Sequence, residues 1–70
     1  MKKETLIANL EKVKMRASVD NQKKAAYSFL KKFNESNDSL NAEFSKFEKD
    51  FFELEIWEGN KRVLIEKFTL

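Results

Sequence analysis

Apolar residues recur at helical spacing through the first fifty or so positions. Leu6, Leu10, Val13 and Ala17 stand at i, i+4, i+7 and i+11, which is one face of a helix, and Ile7 widens that face. The pattern predicts a helix over about residues 4–17. Ser18, Asp20 and Asn21 then interrupt it with side chains that can cap a second helix. That helix, over about 20–34, is predicted by Ala26, Phe29, Leu30 and Phe33, with Lys24, Ser28 and Lys31 on its opposite face and Tyr27 on the border. The polar run from Asn34 to Ser39 is the clearest break in the chain, because these side chains hydrogen-bond their own backbone and favour turns. Leu40, Phe44, Phe47 and Phe51 repeat the spacing of the first stripe and predict a third helix over about 38–52, with Phe52 falling off the stripe.

The C-terminal segment has a different period. Glu53-Leu54-Glu55-Ile56-Trp57 alternates polar and apolar, and Gly59-Asn60 separates it from Arg62-Val63-Leu64-Ile65. Gly-Asn between two such runs signals a type II′ hairpin over about 53–68. A two-residue turn sets Glu58 against Lys61, Trp57 against Arg62 as a cation–π pair, Ile56 against Val63 and Leu54 against Ile65. The same register opposes Glu53 to Glu66, which is unfavourable. The expected fold is therefore α+β, mainly α: a three-helix unit followed by a C-terminal β-hairpin. The alternative is an all-α four-helix bundle, with the third helix running on to Trp57 and a fourth over about 61–68.

Length and composition narrow what such a fold can do. A chain of 70 residues makes a single domain, 1–70, and buries only about 60% of its unfolded surface. It has no Cys, so no disulfide reinforces it, and no His, so a structural zinc site is excluded in practice. Seven Phe together with Trp57 can fill a small core. No signal peptide is visible after Met1, and no apolar run approaches the length of a membrane span. The expected location is cytoplasmic, the host cytoplasm if the chain is phage-encoded. Abundant Lys, Asn and Phe with scarce Arg, Gly and Pro is the bias of an AT-rich genome, phage or bacterial.

Catalytic groups are missing. Without His or Cys there is no ordinary base or thiol to activate a nucleophile, and a single Gly cannot build a phosphate loop. Acidic residues around 35–43 lack the spacing of a calcium loop. No enzymatic activity, no cofactor and no metal are expected.

Charge is divided along the chain. Residues 1–33 carry nine basic and three acidic residues, and residues 34–70 carry five basic and nine acidic, which hides a two-sided molecule behind a net charge of +2. The acidic half gathers Asp50, Glu53, Glu55 and Glu58 around Trp57, an aromatic anchor among charges of the kind enriched at protein interfaces. The leading expectation is a small non-enzymatic bacterial or phage accessory protein. It binds a larger protein with a basic surface through those five residues, and inhibits or modulates it. The alternative is a sequence-tolerant nucleic-acid binder using Lys23, Lys24, Lys31 and Lys32 on the basic N-terminal helices. A winged-helix DNA reader fits poorly, since its third helix would carry Asp38, Glu43, Glu48 and Asp50 towards phosphates. Ala8 and Met15, opposite the first stripe, offer a place for a homodimer contact.

Overall fold

The computed structural model describes residues 2–15 and 18–70, with the side chains of Lys14 and Val19 left aside. The chain runs through α1 (Lys3–Glu11), a single 3-10 turn (Val13–Met15), α2 (Val19–Glu35) and three strands, β1 (Leu40–Phe47), β2 (Phe51–Glu58) and β3 (Lys61–Thr69). The strands form one antiparallel sheet in the order β1-β2-β3. This corrects the sequence expectation. The chain is neither a three-helix unit with a hairpin nor a four-helix bundle, because residues 38–52 form a strand, a turn and the start of a second strand.

The physical reason lies in one bulge. Leu40, Ala42 and Phe44 alternate at strand period, and then the register with β2 shifts between Phe44 and Lys46. The extra residue puts Phe47, not Lys46, back in phase with the core face. Apolar spacing of two, two and three imitates part of a helical stripe. β2 completes the reversal: Phe52, which falls off the helical stripe, is fully buried, whereas Phe51 lies on the other side of the strand.

The helices form for the reasons the sequence offers. The first helix ends at Glu11, short of the expected bound near 17: Leu6 and Leu10 are buried from α1, Val13 is buried from the 3-10 turn, and Ala17 lies outside the described residues. Ser18 caps α2 by accepting the Asn21 N–H at 3.2 Å. Ala26, Leu30 and Phe33 face inward. Asn37 Nδ2 and the Ser36 hydroxyl both donate to the Phe33 carbonyl, at 2.8 and 3.1 Å, and satisfy the end of α2. These helical residues share one core with Ala42, Phe52, Leu54, Ile56 and Phe68. Both helices therefore cover the same face of the sheet. Phe47, Phe52 and Phe68 stack across the three strands at centroid distances of 5.0 and 4.8 Å, with Phe44 edge-on to Phe52 at 5.3 Å.

The turn between β2 and β3 is Gly59-Asn60. Gly59 has φ +62° and Asn60 does not take a positive φ, the arrangement of a type II′ turn. Glu58 faces Lys61 and Trp57 faces Arg62. Beyond them a bulge shifts the register, so Ile56 faces Leu64, Leu54 faces Glu66 and Glu53 faces Lys67. The expected pairs of Ile56 with Val63 and Leu54 with Ile65 do not form. The slip also replaces the unfavourable Glu53–Glu66 pair with one of opposite charge.

Candidate functional site

Strand alternation divides β2 between two environments. Phe52, Leu54 and Ile56 point at the helices, and Phe51, Glu53, Glu55 and Trp57 point away. Register extends this second face across the sheet. On β1 it takes in Asn41, Glu43 and Lys46, which face Trp57, Glu55 and Glu53. On β3 it takes in Arg62, Ile65 and Lys67, which face Trp57, Glu55 and Glu53 from the other side. Ile65 is 48% exposed and Val63, at the bulge, 40%. No described element packs on this face.

The electrostatics are uneven. Glu43 stands directly opposite Glu55, a like-charge pair in the middle of the face. Glu55 is the more enclosed of the two, its side chain 12% exposed, and Arg62 reaches it at 3.7 Å. The Arg62 guanidinium thus serves Glu55, in place of the cation–π contact expected with Trp57. Lys67 is turned over the Phe51 ring at 4.5 Å. Glu53 accepts a hydrogen bond from the Ser45 hydroxyl at 2.8 Å. Trp57 is half-buried, and among the described residues its enclosed indole N–H has no hydrogen-bond partner. Its ring, not its polar edge, is what it presents.

Of the five acidic-half residues singled out from sequence, Glu53, Glu55 and Trp57 share this face at two-residue steps. Asp50 lies in the β1–β2 turn, and Glu58 ends β2 beside the Gly59 turn. Those two are separated by the whole length of the strand, roughly 25 Å. Glu43 joins the face although a helical reading had placed it elsewhere. Its signal in the sequence is the Leu40-Ala42-Phe44 alternation, which fixes Glu43 on the opposite side of the strand.

The four lysines are less concentrated. Lys23, Lys24, Lys31 and Lys32 are all exposed on α2. At about 100° per residue they spread over roughly half the circumference of the helix. Lys23 leans over Phe47 at 5.8 Å. Met15 is 81% exposed and Ala8 is exposed too.

Among the described residues no three acidic side chains converge as a metal ion would require. No described helix is long and apolar enough to cross a membrane. No protein-family model, no curated protein and no solved structure matches this chain, so its own geometry carries the functional argument.

Proposed function

We propose that this is a non-catalytic binding protein that meets a larger protein, one with a basic surface, through the open face of its sheet. The observation that carries the reading is the Glu43–Glu55 pair beside Trp57 on a face that no described element covers. Two carboxylates opposed across neighbouring strands weaken the sheet. A cationic group from a partner between them converts that repulsion into attraction, and Trp57 with Val63 and Ile65 supplies apolar contact around it. Binding at such a face inhibits or modulates the partner by occupying its basic surface. A cytoplasmic location, in a bacterium or in the host of a phage, suits that role.

The test is capture from a bacterial lysate with three forms of the protein. A partner retained by the native chain and by Lys24→Glu/Lys31→Glu, but released by Glu55→Lys/Trp57→Ala, supports the reading. Equal retention by the face variant removes it. A nucleic-acid shift at low salt that disappears with Lys24→Glu/Lys31→Glu would favour the basic helix as the working surface.

A further inference from the structure

The two edges of the sheet are treated differently. On β1, the Asn34 side chain accepts the Ala42 N–H at 2.7 Å and donates to the Ala42 carbonyl at 3.0 Å. α2 thereby seals the middle of that edge as a neighbouring strand would. On β3 no described group does this.

The backbone groups left open on β3 follow from the same clamp. Ala42 gives its N–H and C=O to Asn34, so its pair with Ile56 is of the non-hydrogen-bonded kind. Ile56 then bonds Leu64 on its other side, and by alternation Leu64, Glu66 and Phe68 face β2. Ile65, Lys67 and Thr69 direct their N–H and C=O groups out of the sheet. Beneath this edge lies a cleft between the end of α1 and β3, lined by Leu10 and Glu11 on the helix and by Glu66, Lys67, Phe68, Thr69 and Leu70 at the C-terminal end of the strand. Among the described residues neither Glu11 nor Glu66 has a cationic partner. Lys12 and Lys67 adjoin the two carboxylates in sequence, but neither forms an ion pair with them among the described residues, and the Lys67 ammonium lies over the Phe51 ring on the far side of the sheet.

We propose that the β3 edge takes up an extended, basic segment of a partner protein as a fourth strand. The backbone of the segment pairs with Ile65, Lys67 and Thr69, and a Lys or Arg side chain on its inward side enters the cleft between Glu11 and Glu66. Ile65 and Lys67 belong to both surfaces, but the edge site uses their backbone groups and the cleft beneath, not the side chains of the open face, and it does not rest on the reading given for that face. Main-chain pairing supplies affinity and alternate side chains supply selectivity. Charge selects the occupant. A second copy paired antiparallel about Ile65 would set Leu64 against Glu66 and bring no cation to the two carboxylates.

The probe is a short capped peptide alternating lysine with threonine, titrated into isotope-labelled protein and followed by amide NMR. The expected shifts concentrate at Ile65, Lys67 and Thr69, and a peptide with glutamate for lysine produces none. Glu11→Gln/Glu66→Gln weakens binding by about tenfold or more. Lys67→Pro removes an N–H that points out of the sheet, so it leaves the ladder intact and abolishes binding. Should Lys67→Pro fail to fold in a circular dichroism check, the paired Gln variant and the glutamate peptide still decide. Unchanged affinity in that Gln variant, or shifts centred on Glu43, Glu55 and Trp57 and lost with Glu55→Lys, overturns the proposal. Self-association by sedimentation that Lys67→Pro eliminates also overturns it, by naming a second copy as the occupant.

Discussion

Reversing the charge at position 43 should make this protein more stable and, on the proposed reading, weaken its hold on a basic partner. Glu43 faces Glu55 across β1 and β2, and the Glu55 side chain is 12% exposed. Directly opposed residues have Cβ atoms about 5 Å apart, where two like charges repel by about 1 kcal/mol in a water-like medium and more where water is partly excluded. Flexible side chains splay, and Arg62 at 3.7 Å offsets part of the repulsion on Glu55. Lysine at 43 replaces that repulsion with attraction at little change in strand propensity. The net gain expected for Glu43→Lys is about 1 kcal/mol, which for a domain of this size raises Tm by about 4–8 °C. Glu43→Gln removes the repulsion without adding the attraction and should give about half of that. Thermal melts followed by circular dichroism in dilute buffer and again in about 1 M NaCl, where screening acts within ~3 Å, separate charge from packing. A fall in Tm for Glu43→Lys, or a gain that salt leaves untouched, refutes the reasoning. The same variant should bind a basic partner more weakly, since a stabilising change at a working surface opposes the function.

The Asn34 clamp predicts that Asn34→Ala costs about 2–3 kcal/mol in denaturant unfolding, because the Ala42 N–H and C=O lose both partners at once; a loss below half a kcal/mol, about the floor for one such bond, would show that water replaces the amide. Gly59→Ala meets no atom within 4 Å, so its cost, about 1–2 kcal/mol, is conformational, from φ +62°; a synthetic chain with D-alanine there should match the native Tm. Phe52→Ala should cost about 3–5 kcal/mol and leave most of the chain unfolded by circular dichroism at 37 °C, since Phe52 is fully buried between Phe47 and Phe68. Ser18→Ala should lower stability by about 1 kcal/mol through loss of the cap on Asn21, while Ser18→Asp should keep it.

Local pattern decides the N-terminal half of this fold. Leu6 and Leu10, then Ala26, Leu30 and Phe33, are read directly from helical spacing, because a helix buries one stripe whatever it packs against, while Val13 of the same stripe is buried from the 3-10 turn that follows α1. The Gly59-Asn60 turn is equally local, since positive φ is a property of the residue itself. The acidic, Trp-bearing strand is legible as well: alternation alone puts Glu53, Glu55 and Trp57 on one side. What escapes the sequence depends on a neighbour. Leu40, Phe44 and Phe47 fit a helix as well as a bulged strand, and only pairing with β2 chooses between them. With that choice Phe51 and Phe52 exchange places, Glu43 comes to face Glu55, and Asp50 and Glu58 part company. The register of β3 is likewise set by a bulge that no turn rule supplies, and it moves Glu53 from Glu66 to Lys67. The division of charge was written in the chain. The tertiary structure set Glu43 opposite Glu55 on the face that Glu53 and Trp57 share, because on a strand the faces are assigned by pairing and not by distance along the sequence.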